Sequence, residues 1–269
     1  MSGALAWIRR HLIAFAAGAV LVYMLVPNVV VAVFSFNNPT GRFNYEWSSF
    51  STQAWTNVCG TPGICSSLGL SLKIGIIASL VATVLGTLVA FALGRHRFRG
   101  RAATNLLIFM PMATPEVVMG SSLLTLFVMM GVPSGQGAIL IAHIMFCLSF
   151  VVVAVKARVA SLDPRLEEAA ADLGATPTQT FLRVTLPLAA PGIAAGGLLA
   201  FSLSFDDYII TNFQASPSSI TFPMYVWGAA QRGTPVQINV IGTVMFLVAL
   251  LVVIIGQVIS SRRNNKVAA

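Results

Sequence analysis

Apolar residues run through this chain in long unbroken stretches, separated by short polar intervals. Stretches of about 20 apolar residues are what a helix needs to cross the hydrocarbon core of a bilayer. Six stretches qualify, at approximately Leu12–Phe36, Ser67–Leu93, Ala102–Val132, Gly137–Val155, Gly192–Phe213 and Val236–Ile259. They lack the apolar–polar alternation of membrane-barrel strands. Backbone groups in lipid must pair internally, so continuous runs predict helices. The pattern predicts an all-α membrane protein of six transmembrane helices, one domain over residues 1–269. The first run follows Arg9 and Arg10 as a signal peptide would, but it is too long and ends in no small-x-small site, which predicts an uncleaved first helix. No internal repeat or low-complexity segment is visible.

One interval, at about residues 160–190, departs from this pattern. Asp163-Pro164 predicts a helix start, since Asp accepts from free N–H groups and Pro suits the first position. Leu166, Ala169, Ala170 and Leu173 then fall on one face, and Arg165, Glu168 and Asp172 on another. Gly174 suits a left-handed helix stop. Thr176-Pro177-Thr178-Gln179 has the order of a capping box and predicts a second short helix. Pro187 and Pro191 are expected to interrupt the chain before the fifth span. Such a helix pair can dock into a groove on a soluble partner or lie on the lipid surface. Pattern alone leaves both open.

Composition agrees with a membrane protein. The chain is 57% hydrophobic and 9% charged, against about 25% charged in soluble domains. In a soluble protein the net charge of +8 would suggest nucleic acid; here the placement of the charges matters more. Arg9, Arg10, Arg95, Arg97, Arg99, Arg101, Lys156, Arg158, Arg165, Arg183, Arg262, Arg263 and Lys266 fall on one set of connections. Only Arg42, Lys73 and Arg232 fall on the other. The positive-inside rule then puts both termini and the 160–190 loop in the cytoplasm, and makes Asn37–Ser66 the largest external loop.

Acidic residues inside apolar spans are costly and mark function by default. The candidates are Glu116, Asp206 and Asp207, with no Lys or Arg mid-span to neutralise them. A cationic substrate is the simplest partner, helped by the aromatic faces of Phe205 and Tyr208. Pro111 and Pro115 weaken the helix around Glu116, as in the broken helices that line transport sites. On a helix, Asp206 and Asp207 would point about 100° apart, so at most one faces a pathway squarely. For each of the three, the plainer role is a satisfied buried carboxylate or a helix cap.

Other residues carry less. Cys59 and Cys65 form either a small disulfide or a pair of free thiols. Cys147 suits packing. His11, His96 and His143 lack metal-ligand spacing, and His143 suits a hydrogen-bonded contact between helices. Gly75, Gly86, Gly196 and Gly197 suit close helix approach. The basic run Arg95 to Arg101 is accounted for by topology and headgroup contact. Trp47 and Trp55 suit the membrane interface or a binding protein. No G-x-x-x-x-G-K-[ST] loop is present, nor a catalytic Ser, Cys or His constellation. The chain is expected to be no enzyme, to bind no cofactor, and to draw energy from elsewhere.

Glu168-Ala169-Ala170, three residues, Gly174, nine residues, then Val184-Thr185-Leu186-Pro187 resembles the EAA-x3-G-x9-I-x-L-P motif, with Val for Ile. That motif marks the membrane subunits of binding-protein-dependent ABC importers. "RFRGR", "MPMATPEVVMGSSLL" and "FSLSFDDYIITNF" are similar to the spermidine/putrescine (PotC-type) importer permeases, so the resemblance covers about Ser67 to Ser260. It implies a type I permease fold whose cytoplasmic coupling helix, with Glu168, Ala169, Ala170, Gly174, Leu186 and Pro187, seats on an ATPase. It further implies a sister permease, two ATPase subunits holding ATP and Mg, and an external substrate-binding protein, in a bacterial inner membrane. The substrate implied is spermidine or putrescine. A permease for thiamine, iron or a sugar, and a proton-coupled secondary transporter, are the alternatives; the second leaves the 160–190 loop unexplained.

Overall fold

The computed structural model describes the backbone of residues 2–267 and the side chains of residues 11–256 and 258. The side chains of Arg9, Arg10, Arg262, Arg263 and Lys266, used above for orientation, lie outside the described residues. The helices are α1 (Ser2–Phe34), α2 (Gln53–Thr56), α3 (Ile64–Arg95), α4 (Arg101–Ala113), α5 (Glu116–Met129), α6 (Gln136–Ala160), α7 (Arg165–Asp172), α8 (Pro177–Thr180), α9 (Leu186–Asp206), α10 (Ile209–Gln214), α11 (Phe222–Arg232) and α12 (Val236–Val267). A π-helical turn, Phe181–Thr185, joins α8 to α9. No strand occurs among the described residues; a single antiparallel bridge pairs Asn37 with Phe50. Among the same residues five helical stretches are long and apolar enough to cross a membrane, and the bent pair α4–α5 is so when its two helices are taken together.

The third span is broken beside Glu116, where its prolines were expected to weaken it. α4 and α5 meet at a bend of 110° across Thr114 and Pro115. Pro115 has no N–H to continue the ladder, and the residue before a proline is driven to extended backbone; Thr114 is at φ −85°, ψ 131°. The fifth span begins earlier than expected. Helix continues from Pro177 through the π turn to Asp206, so neither Pro187 nor Pro191 interrupts it. The π turn explains why at Pro187. The Leu186 N–H bonds Phe181 O, five residues back. The widened turn moves the carbonyls that a proline ring would strike in a regular helix. The fifth span instead breaks at its other end, at Asp207 (φ −63°, ψ 125°).

The chain divides into two compact units, residues 66–225, and residues 1–65 with 226–269. In the first, α6 packs along α9 and α10 packs on α5 and α6. The core holds Val151, Val155, Val159, Ala189 and Ala200. Small residues allow the helices to approach. A Cβ on Gly86 would come within 2.7 Å of Val151 Cγ1, and one on Gly197 within 2.9 Å of Thr83 Oγ1. One on Gly75 would lie 3.2 Å from Phe201, so three of the four span glycines serve close packing; at Gly196 a Cβ would make only ordinary contact, at 3.5 Å. Gly86→Leu is therefore expected to cost about 1–3 kcal/mol by overpacking, seen as a lower Tm of the detergent-solubilised protein. Gly18→Leu, where a Cβ meets nothing within 4 Å, is expected to cause no such drop. Equal losses at both positions would remove close packing as the cause.

In the second unit, α12 packs on α1 and α2. The segment after α1 is organised by Asn37. Its Nδ2 donates to Asn44 Oδ1 and Glu46 O, each at 2.7 Å, and its Oδ1 accepts from Ser48 N at 2.9 Å. Trp55 stacks on Phe36 at 5.2 Å and donates to Ser35 Oγ at 3.2 Å. It packs within this segment and is partly buried. Trp47 lies edge-on to Phe34 and is half exposed. Cys59 and Cys65 are joined by a disulfide.

Candidate functional site

Two regions hold the candidate side chains: the helix breaks at Glu116 and Asp207, and the α6–α9 connection.

The break after α9 separates two adjacent carboxylates that a continuous helix would have treated alike. Asp206 is the last residue of α9 and is exposed. Asp207 has left the helix and is buried. Its Oδ1 accepts from Ile210 N (3.3 Å), and its Oδ2 from Thr211 N (2.7 Å) and Thr211 Oγ1 (2.8 Å). Asp207 thus supplies the acceptors that the first turn of α10 needs. His143 on α6 completes the cluster. Its Nε2 lies 3.3 Å from Asp207 Oδ2 and 2.9 Å from Thr211 Oγ1, and its Nδ1 lies 2.7 Å from Ser204 Oγ. Thr211 gives its one hydroxyl proton to the carboxylate, so His143 Nε2 must be the donor at Thr211. Nδ1 can then accept from Ser204. Asp207 is therefore the satisfied buried carboxylate of the pair, and the expectation that both lie on one helix is corrected. His143 is the interhelix contact its isolated position in a span suggested. Cys147 beside it is buried and donates to Ala200 O at 3.3 Å.

Asp206 lies beside an aromatic row. Phe205 stacks on Phe201 at 5.9 Å and lies 6.4 Å from Phe222. Tyr208 sits half buried in the break. Glu116 is exposed at the first turn of α5, directly after the other break. Beyond the breaks, α5 and α10 are joined: Gln214 Nε2 donates to Gly120 O at 3.0 Å, and a Cβ on Gly120 would meet Phe213 at 2.6 Å. The structure thus brings the two broken helices together, with a carboxylate on each left exposed. Among the described residues neither Glu116 nor Asp206 is in an ion pair. No cluster of His, Cys, Asp and Glu able to hold a metal occurs among the same residues.

The α6–α9 connection is tightly punctuated. Asp163 Oδ1 accepts from Arg165 N at 3.0 Å, opening α7. At its end Gly174 N bonds Ala171 O (2.9 Å) and Ala175 N bonds Ala170 O (3.0 Å), with Gly174 at φ +80°. This is the Schellman pairing, which requires a left-handed residue at that position. Thr176 and Gln179 form a reciprocal capping box. α7 has no buried residue. Leu166 and Leu173 are 45% and 89% exposed, so the apolar stripe faces away from the chain. Glu168 and Ala169 are exposed too, Ala170 is half exposed, and Leu186 and Pro187 lie on the first turn of α9.

Sequence reasoning missed three contacts here. Arg95 Nη2 pairs with Glu167 Oε1 at 3.1 Å. Thr185 Oγ1 donates to the same oxygen at 3.0 Å. Arg158 Nε and Nη2 both donate to Leu188 O, at 3.0 and 2.9 Å, across Gly192. Arg95 and Arg158 carry charge that topology alone explains, so no signal in the sequence singled them out.

Residues 82–266 match the family of binding-protein-dependent transport system inner membrane components. The chain belongs to this family. It is similar to the spermidine/putrescine transport system permease protein PotC of Escherichia coli, with 35% identity over 92% of this chain and 93% of that one. It is 32% identical to the PotC of Haemophilus influenzae, over 91% of this chain and 95% of that one. It is also 37% identical to the putrescine transport system permease protein PotI of Escherichia coli, over 83% of this chain and 81% of that one. Among solved structures it resembles a bacterial ABC transporter that imports alginate, with a TM-score of 0.64 at 19% identity over 94% of this chain and 97% of that one. It also resembles the MetNI methionine ABC transporter, with a TM-score of 0.57 at 13% identity over 72% of this chain and 92% of that one. The fold is therefore that of ABC importer permeases, and the chain is a multi-pass membrane component of a transport system.

Proposed function

We propose that this chain is one of two permease subunits of an ATP-driven importer of polyamines, spermidine or putrescine. The observation that carries the substrate is the similarity, over nearly the whole chain, to permeases named for spermidine and putrescine. The exposed carboxylates at the two helix breaks support it, since a polyammonium chain needs successive anionic and aromatic contacts. Asp206, with Phe205 and Tyr208, and Glu116 are the pathway contacts in this proposal. Asp207 holds the break open behind them.

The complete importer contains this chain, a second permease, two ATPase subunits that bind ATP and Mg, and an external binding protein. This chain hydrolyses nothing itself. In this proposal both termini and the α6–α9 connection face the cytoplasm, a reading that the Lys and Arg placement supports. ATP binding draws the ATPase subunits together. α7, with Glu168, Ala169, Ala170 and Gly174, moves with them, and α9 follows through Leu186 and Pro187. The pathway alternates between two states, biased by ligands that bind them unequally.

Labelled spermidine and putrescine uptake by cells lacking this chain tests the proposal. Uptake restored by the wild-type chain, and lost on ATP depletion with the proton gradient intact, is the expected result. Restored assembly without uptake of either polyamine would reject the substrate and leave an importer of another solute. Uptake without ATP would reject the importer in favour of a secondary carrier.

A further inference from the structure

Glu167 precedes the motif residue Glu168 and points the other way. Adjacent helix residues diverge by about 100°; Glu168 is exposed, whereas Glu167 is drawn in against Arg95 and Thr185. One oxygen, Glu167 Oε1, receives both contacts, at 3.1 and 3.0 Å. Three elements meet there: the last residue of α3, the first turn of α7, and the π turn that opens onto α9. The Arg95 Nε is buried with no partner of its own, so its guanidinium depends on Glu167.

α7 has little else to hold it. It lies beside α8 and the π turn but has no buried residue. A helix without a buried face gains little from packing, and its position then rests on its polar ties. The Arg95–Glu167 pair is two-thirds or more covered, with side-chain exposures of 20% and 33%, and such pairs are screened less than exposed ones. Beyond the π turn, the first turn of α9 is itself held by Arg158, which donates twice to Leu188 O.

We infer that Glu167 is the strut through which displacement of α7 reaches α3 and α9: a positioning residue that touches neither substrate nor nucleotide. The inference rests on the proposal that α7 couples to an ATPase. Without the strut, α7 could follow the ATPase while α9 stays behind, and ATP would be hydrolysed with little transport.

The test uses the whole importer, reconstituted in proteoliposomes with its binding protein, and reads spermidine moved per ATP hydrolysed. Glu167→Ala is expected to co-purify with the ATPase subunits and to lower that ratio about tenfold, within the usual range for coupling between sites. The charge swap Glu167→Arg with Arg95→Glu is expected to recover most of the ratio. Damage to structure alone would lower both rates together and leave the ratio unchanged, and that result overturns the inference. So does a swap that assembles but recovers nothing. If Glu167→Ala fails to assemble, Glu167→Gln serves, since it keeps an acceptor for Thr185 and loses only the ion pair. An unchanged ratio there is equally fatal.

A substrate-free reading separates this inference from the function beneath it. Spin labels at Ala171→Cys and Leu199→Cys should report one narrow distance in the nucleotide-free and vanadate-trapped wild-type complex, and a broad one in Glu167→Ala. Identical distributions reject the strut even if polyamine is transported. Failure of the wild type to transport either polyamine rejects only the substrate.

Discussion

Asp207→Ala is expected to abolish uptake by collapsing the break between α9 and α10, whereas Asp206→Asn should leave a folded, assembled subunit that takes up polyamine poorly. The alanine leaves Ile210 N, Thr211 N and Thr211 Oγ1 without their acceptor. It also strips the carboxylate from a buried His143. Each buried donor left without its acceptor costs about 1–3 kcal/mol, and several at once are a large part of the total stability of a typical domain. A low yield of folded complex, read by size-exclusion chromatography with the ATPase subunits, is the expected signature. Asp206 has no ion pair and caps nothing among the described residues. Its asparagine variant should fold normally, with uptake reduced about tenfold if the carboxylate supplies a charge-assisted contact of about 1.5 kcal/mol. If Asp207→Ala assembles normally and only KM rises, the roles of the two carboxylates are reversed.

The spans were legible because hydrophobicity is a property of each residue on its own. Six stretches read by length correspond to five long helical stretches and one bent pair. The break in the third span was legible in part, from Pro111 and Pro115; the break after α9 was not, because proline alone does not decide such breaks. Pro27, Pro111, Pro187 and Pro191 all lie within continuous helix, and Pro115 marks a break. At Pro187 the π turn removes the conflict; at the end of α9 a break forms with no proline at all. There it is held by Asp207, whose partners come from α10 and, 64 residues back along the chain, from His143. Such a decision depends on tertiary contacts and has no local signature. The α6–α9 connection was the reverse case. Its Asp163 cap, Gly174 turn and capping box involve neighbours within five residues, so the sequence carries them nearly whole. What it omitted there were Glu167, whose partners lie on α3 and the π turn, and the hold of Arg158 on Leu188 O.

Gly174→Pro should eliminate uptake, and Gly174→Ala should reduce it only modestly. Proline fixes φ near −65° and has no N–H. Gly174 is at φ +80°, and its N–H closes onto Ala171 O. The turn between α7 and α8 cannot form in the proline variant. The spans should still insert, because α7 contributes nothing to the buried core. Loss of uptake of about twentyfold or more is therefore expected with membrane content unchanged, read by quantitative blotting beside the uptake assay; a coupling loss of about 2 kcal/mol suffices. Alanine separates two reasons for needing glycine. A Cβ at this position meets nothing within 4 Å in the chain itself, so the intramolecular cost is only that of a left-handed backbone, about 1–2 kcal/mol. If that is the whole requirement, Gly174→Ala should retain a large share of uptake and gain some back at lower temperature. If alanine is as damaging as proline, the missing Cβ is needed by a surface outside this chain. Gly174 would then be a point of close approach to the ATPase as well as a turn.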